Sequence, residues 1–200
     1  MDDHLNMHMS AYRAKYSCET TLLKLVEDWK SVLDNKAVVG ILSTDTSKAF
    51  DCLLPPLMLN KLKAYNFSGK ALKLIGSYFE NRQGRVKLKD AISSWREVKK
   101  GCPQGSCFGP LLWNIFQNDM YYTVNGCQLS MYADDHQLYT SNTDAKEVEA
   151  TLNAQARLAS QWYKENSLLA NKNKFQTMTL NANKEEAMSV TITLDRKSVV

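Results

Sequence analysis

The chain has little proline and little glycine, four and eight among 200 residues. It contains no Gly/Pro-rich linker, no internal repeat and no low-complexity tract, so it reads as one continuous unit and not as a string of modules. Cysteine is sparse and irregularly placed: Cys18, Cys52, Cys102, Cys107 and Cys127 are odd in number and include no Cys-x-x-Cys pair. A disulfide framework and a cysteine-based zinc site are therefore not expected, and a reducing, intracellular setting in cytoplasm or nucleus fits better. No apolar run approaches the ~18 residues that a membrane span needs. The N-terminus, Met-Asp-Asp-His-Leu-Asn, is acidic and lacks an apolar core, so it does not read as a secretory signal. A strong charge of one sign is also absent, the net charge being only +4.

What is present is an ordinary globular composition, 44% hydrophobic and 23% charged, in a chain long enough for one domain with a sizeable core. Charge is concentrated in one place. Between residues 82 and 100 seven basic side chains (Arg82, Arg85, Lys87, Lys89, Arg96, Lys99, Lys100) face two acids, Asp90 and Glu97. Such a surplus can follow a phosphate backbone or can be one solvated face of a hairpin.

Periodicity supplies the elements. A helix capped by Thr20 or Thr21 carries Leu22, Leu25, Val26, Trp29, Val32 and Leu33 on one stripe and breaks at Asp34-Asn35-Lys36. Residues 37–42 read as a buried strand ending at Ser43-Thr44-Asp45. Pro55-Pro56 opens a helix to about Lys63, and Ser68 caps another through Phe79. Residues 84–89 and 95–99 alternate as strands. A glycine-rich loop, 101–109, precedes a helix from Pro110 to about Asn118. Strand-like runs flank Asp134, and Asp144 with Glu147 resembles a capping box before a helix carrying Val148, Thr151, Leu152, Gln155, Leu158, Ala159 and Trp162. Two late strands, 175–180 and 190–194, follow. The sum is an α+β pattern, an antiparallel sheet backed by helices.

The chemistry is concentrated in Tyr132-Ala133-Asp134-Asp135. Two adjacent acids on a hairpin turn repel each other. Ordinarily such a pair is a solvated turn. Held rigidly, it also suits a hard divalent cation such as Mg²⁺, which takes one or two carboxylates plus substrate phosphates. Asp45 ends a buried strand, so if the two strands are neighbours Asp45 and Asp134 converge on one site. Two Mg²⁺ there, ~3.5–4 Å apart, would clamp the attacking and leaving oxygens of an in-line phosphoryl displacement. Between these segments, Gly101 to Pro110 offers glycines that admit close backbone approach to a ligand, or simply a structural loop before a helix.

Taken in order, these segments resemble the reverse transcriptase domain of LINE-type (non-LTR) retrotransposons. Asp45-Thr46-Ser47-Lys48-Ala49-Phe50-Asp51 is similar to motif A. Gly101 to Pro110, with Pro103-Gln104-Gly105-Ser106 and Gly109-Pro110 intact, is similar to motif B. Tyr132 to Asp135 is similar to motif C, and Asn171-Lys172-Asn173-Lys174 to motif D. Ala11-Tyr12-Arg13 and Cys18-Glu19-Thr20 resemble the segment upstream of motif A. The likeness covers about residues 10–195.

The resemblance implies an antiparallel palm sheet with a ferredoxin-like core, packed on helices and carrying partial fingers. It implies an RNA-directed DNA polymerase, with RNA template, DNA primer and dNTP as partners and two Mg²⁺ as cofactor. Asp45 and Asp134 would be metal ligands, with Asp135 a supporting carboxylate. Phe50 would be a steric gate against a ribose 2′-hydroxyl, and is equally a core residue. Gln104, Gly105 and Tyr132 would line the nucleotide and template pocket. Lys174 would stand by the pyrophosphate leaving group or be a plain turn lysine. Arg13 is not expected to reach the triphosphate.

Three departures stand out. Ser43-Thr44 replace apolar strand residues, which predicts a weaker, less buried strand end. Cys107 replaces a small aliphatic residue, and Phe175 follows Lys174 where threonine is usual. By the resemblance, residues 1–36 are a remnant of the fingers and a leading helix, 37–195 the palm with inserted fingers elements and 196–200 a truncated tail. The chain then reads as a palm core lacking primer grip, thumb and endonuclease, weak or inactive alone. The alternative is a non-catalytic relic, or a domesticated nucleic-acid-binding fragment. A viral RNA-dependent RNA polymerase fits less well, because Tyr132-Ala133 stands where glycine is usual there and Phe50 is bulky.

Overall fold

The computed structural model describes residues 5–103, 105–170, 175–182, 192–194 and 197–199. Helix α1 (Cys18–Asp34) is followed by β1 (Val38–Ser47), α2 (Ala49–Cys52), α3 (Pro55–Ala64) and α4 (Gly69–Phe79). Four two-residue strands come next: β2 (Gln83–Gly84), β3 (Lys87–Leu88), β4 (Ala91–Ile92) and β5 (Arg96–Glu97). Then come α5 (Phe108–Gln117), α6 (Met120–Thr123), β6 (Gln128–Tyr132), β7 (Asp135–Asn142) and α7 (Ala145–Glu165). The described chain closes with β8 (Leu169–Ala170), β9 (Gln176–Leu180), β10 (Ile192–Leu194) and β11 (Lys197–Val199). The main sheet runs β6-β7-β1, with β8 and β9 both pairing along the far side of β1; these four strand pairings are antiparallel, and an isolated parallel bridge joins Met9 to Met131 of β6. This is the expected α+β architecture.

β1 is central because it can be buried on both faces. Val39 and Ile41 face α1, where Leu25, Trp29 and Val32 pack with Tyr139. On the opposite face α7 lies directly over Gly40, where a Cβ would stand 2.3 Å from Val148 Cγ1 and 2.8 Å from Leu152 Cδ1. The missing side chain sets how closely α7 can seat on the sheet. The principal core lies on this side, around Trp113, Phe116, Leu138, Leu152 and Tyr163. α1 thus packs on the same sheet as the residues after it.

Several boundaries differ from the pattern, each for a local reason. The cap of α1 is Ser17, not Thr20 or Thr21. Ser17 Oγ accepts from the Thr20 N–H at 3.1 Å while Thr20 Oγ1 accepts from the Ser17 N–H at 2.9 Å, a reciprocal capping box. β1 does not end at Asp45 but continues to Ser47, because Thr46 and Ser47 pair with β8. α5 starts at Phe108, two residues before Pro110, with Ser106 Oγ accepting from the Phe108 N–H at 3.1 Å. Asp144 caps α7 by accepting from the Lys146 N–H at 2.9 Å. Along α7, Ala156 and Tyr163 are buried, whereas Leu158, placed on the stripe by periodicity, is 37% exposed. Residues 83–97 form two minimal ladders, β2–β5 and β3–β4, in an exposed arm where the Arg85 guanidinium lies 4.6 Å from the Trp95 ring centroid. The expected late strand at 190–194 is described only over Ile192–Leu194.

One ion pair ties helices together. Lys61 Nζ lies 2.7 Å from Asp119 Oδ2 and donates to the Phe116 carbonyl at 2.7 Å, while Trp162 Nε1 donates to Asp119 Oδ1 at 2.9 Å. The anchor therefore joins α3, α5, α7 and the residue preceding α6.

Candidate active site

β6 and β7 form a hairpin whose last pair is Tyr132 with Asp135, leaving Ala133 and Asp134 as a two-residue turn. Ala133 takes φ 55°, the positive value that the first position of a tight hairpin turn requires. Trp113 Nε1 donates to the Ala133 carbonyl at 3.0 Å, so α5 holds the turn from behind. Asp135 is therefore the first strand residue, and Asp134 alone of the two acids lies in the turn.

Across the sheet Asp45 is the direct register partner of Asp135, the final pair of the β1–β7 ladder. Directly opposed side chains stand ~5 Å apart at Cβ, where like charges are destabilising. Both acids line one cavity of about 420 Å³ with Ser43, Gln137 and Gln176. A second cleft of about 210 Å³ lies between Asp135, Tyr132 and the start of α1 at Cys18 and Thr21. The Cys18 thiol beside Tyr132 holds its phenol above the ordinary value.

Asp134 faces another group. Burial and then the Asp134 charge push the Tyr12 phenol up. Tyr12 meets the Phe50 ring edge-on at 6.3 Å, and Phe50 lies 5.4 Å from Trp113. Phe50 thus sits beside the acidic turn, half-buried. It follows a left-handed turn at Lys48, φ 54°, that takes the chain from β1 into α2.

The glycine-rich loop is fastened to that turn. Gly101 N donates to the Leu53 carbonyl at 2.7 Å and Cys102 N to the Phe50 carbonyl at 2.9 Å. Gly101 has φ 77°, and a Cβ there would lie 2.8 Å from Asp51 Cα and 2.9 Å from the Phe50 carbonyl oxygen. Only glycine meets both demands. Arg82 closes the arrangement by donating to the Gly101 and Lys100 carbonyls. Gly105 has φ 81° and open space around it. Gln104 and Lys174, with Asn171 to Asn173, lie outside the described residues. Among the described residues no group of three or more His, Cys, Asp and Glu side chains is gathered closely enough to hold a metal by itself. The arrangement is two facing carboxylates with a third one residue away.

Spacing alone does not reveal the layer beneath these acids. Thr44 is 2% exposed, which corrects the expectation of a less buried strand end at this residue. Its hydroxyl lies 2.7 Å from Tyr163 Oη, which lies 2.7 Å from His136 Nδ1. Burial pushes His136 down to about 4, against a smaller upward pull from Asp45.

The pH consequence has a definite sign. Above pH ~6.5 His136 is neutral in both folded and unfolded chains. As pH falls from 6.5 to about 4 the unfolded chain takes up a proton that the folded chain refuses, so stability is lost. A shift of this size corresponds to about 3 kcal/mol. Between pH 7 and 4.5 the wild type is expected to lose roughly 2–3 kcal/mol more than His136→Asn in urea unfolding. Parallel pH profiles of the two proteins would refute this.

The family profile described as "Reverse transcriptase (RNA-dependent DNA polymerase)" matches residues 2–194. The chain belongs to the reverse transcriptase family. Motifs A and C and the described part of motif B, which resemble its non-LTR branch, sit on the elements described above. The chain is 32% identical over 147 residues to the RNA-directed DNA polymerase from mobile element jockey of Drosophila funebris, covering 70% of this chain and 16% of that protein. It is 30% identical over 132 residues to the probable RNA-directed DNA polymerase from transposon X-element of Drosophila melanogaster, covering 64% of this chain and 14% of that protein. Both relatives come from LINE-type elements, the branch to which the motifs point. The chain thus spans about one sixth of the length of such relatives. Among solved structures, apo telomerase from Candida tropicalis truncated from its C-terminal domain superposes with TM-score 0.65 at 16% identity, over 93% of this chain and 38% of that one. That likeness bears on the fold alone. No helix among the described residues is long and apolar enough to cross a membrane.

Proposed function

We propose that this segment is the nucleotidyl-transfer centre of an RNA-directed DNA polymerase, joining a primer 3′-hydroxyl to the α-phosphate of a dNTP on an RNA template. The observation that carries the reading is the facing of Asp45 and Asp135 across β1 and β7, with Asp134 on the adjoining turn and Phe50 beside it. The donor set fits a hard divalent cation: carboxylate oxygens gathered from two facing strands and a turn, beside open space for phosphate oxygens. Asp45, Asp134 and Asp135 would hold two Mg²⁺, which when bound would supply charge neutralisation at the attacking and leaving oxygens. Phe50 would occupy the space that a ribose 2′-hydroxyl needs, and the Gly101–Cys102 backbone fixes the turn that carries it. Gln104, Gly105 and Tyr132 would border the nucleotide and template, and Lys174 would stabilise the leaving pyrophosphate. The basic arm from Arg82 to Lys100 would follow the phosphate backbone of template and primer. In this reading residues 37–195 would be the palm with inserted fingers elements, and 1–36 a remnant of the fingers with the leading helix.

Primer extension on an RNA template tests this, with residues 1–200 set into the jockey polymerase in place of its matching segment. Mg²⁺-dependent extension with dNTPs is expected. A chimaera that binds template–primer as tightly as jockey yet never extends would instead favour a nucleic-acid-binding relic. In the active chimaera Phe50→Val is expected to raise ribonucleotide incorporation about 10–100-fold relative to deoxynucleotides, the scale of discrimination by one side-chain-sized steric difference. Unchanged sugar selectivity would remove the gate role. Because Phe50 also contacts Trp113, melting temperature should be read alongside.

A further inference from the structure

Beneath the acids runs a buried chain of side-chain hydrogen bonds that the proposed chemistry does not use. Its direction can be read from one end. The Ala11 carbonyl only accepts, so Asn114 donates to it through Nδ2 at 2.8 Å and turns Oδ1 inward. Gln117 Nε2 donates to Asn114 Oδ1 at 3.4 Å, which turns Gln117 Oε1 toward His136 Nε2 at 2.9 Å. His136 therefore carries its proton on Nε2 and accepts at Nδ1. Tyr163 donates to Nδ1, and its oxygen accepts from Thr44. Thr44 Oγ1 also lies 3.4 Å from the His136 carbonyl oxygen. Thr44, Gln117, His136 and Tyr163 are all at most 2% exposed.

The place of this chain in the sheet gives it meaning. Thr44 and His136 are register partners, one pair before Asp45 and Asp135. The terminal pair opposes two like charges at the end of the β1–β7 ladder, with no further β1–β7 pair beyond it. One hydroxyl, Tyr163 Oη, grips both members of the pair next to it.

We propose that Tyr163 is a positioning residue for the carboxylate pair, acting through Thr44 and His136 to hold β1 in register on β7 and so to set the spacing of Asp45 and Asp135. This deepens the metal-site reading above and rests on it for its effect on metal binding, though not for its effect on register.

Tyr163→Phe keeps the ring, including its stacking on His136 at 5.9 Å, and removes only the shared oxygen. Val148→Ala serves as the comparison, since it trims the helix contact over Gly40 at the other end of β1 without touching the chain. Two quantities are measured on residues 1–200: amide hydrogen exchange along β1 and β7, and Mn²⁺ affinity by electron paramagnetic resonance. Tyr163→Phe is expected to speed exchange at residues 44–46 about 10-fold more than at residues 38–41, and to weaken Mn²⁺ binding about 10-fold. Val148→Ala should speed exchange without that gradient and leave Mn²⁺ affinity within about twofold. Equal exchange gradients in the two variants would overturn the proposal. So would an unchanged Mn²⁺ affinity in Tyr163→Phe when the wild type binds the ion. A steep gradient in a protein that binds no Mn²⁺ at all would uphold the positioning role and sink the metal-site reading instead.

Discussion

Asp45→Asn is expected to reduce primer extension on the order of 10³-fold or more in the jockey chimaera, while leaving the fold as stable as before or slightly more so. The two effects have one cause. Asp45 and Asp135 face each other across the last pair of the β1–β7 ladder, where like charges cost about 0.2–1 kcal/mol. The neutral amide is nearly isosteric and relieves that repulsion, so urea unfolding should show a change within about 1 kcal/mol, on the side of a gain. The same change removes one of the charges that would balance the cation, and with it the stabilisation of charge developing on phosphate oxygens. Asp134→Asn should also abolish extension. Its stability effect should be smaller, because Asp134 is in the turn and not opposite another acid. Retained extension in either variant would end the ligand assignment of that residue. Lost extension accompanied by a stability loss of several kcal/mol would mean that the carboxylate is structural.

That pair illustrates what the sequence discloses and what it hides. The acids are legible because two charges on a tight turn make poor structure, and the motifs around them keep their order. α3 and α4 are legible because Pro55 and Ser68 mark their starts locally. α1 is misread by three residues because Thr20 looks like a cap but serves as the N3 partner of Ser17. The extent of β1 is misread because its polar end, Thr44 to Ser47, carries no hydrophobic alternation; partners in β7 and β8 decide it. The buried chain is the least legible feature. Thr44 and Tyr163 are 119 positions apart, and His136 and Tyr163 are 27 apart, so no spacing rule joins them. The one hint is that polar Thr44 and His136 occupy inward-facing positions of strands whose neighbouring inward positions, Leu42 and Leu138, are apolar. Such residues ask for a buried partner.

Asp119→Ala is expected to destabilise the fold by about 3–4 kcal/mol, and more than Lys61→Met does. The asymmetry follows from burial. The Lys61 side chain is 10% exposed and that of Asp119 40%. Lys61 Nζ lies within 4.5 Å of the Phe116 ring centroid and 5.1 Å of that of Trp162, a setting in which burial lowers its pKa while Asp119 raises it. Removing Asp119 strands an ammonium group there with the Phe116 carbonyl still in reach, and it also orphans Trp162 Nε1. Removing the lysine instead leaves a carboxylate that keeps Trp162 and water, with an apolar side chain in the same space, at a cost of about 1 kcal/mol. The double variant should recover part of what Asp119→Ala loses, and urea unfolding of the four proteins closes the cycle. The pH dependence adds a second check. Without Asp119 the charge that offsets the downward pull of burial on Lys61 is gone, so the folded chain gives up that proton at a lower pH than the unfolded chain does. The deficit of Asp119→Ala should therefore be largest near pH 7 and shrink as pH rises through the folded-state value toward that of the unfolded chain, about 10.5, above which both states are neutral at this position. A deficit that is flat over that range would mean that lost packing, and not an unpaired charge, explains the variant.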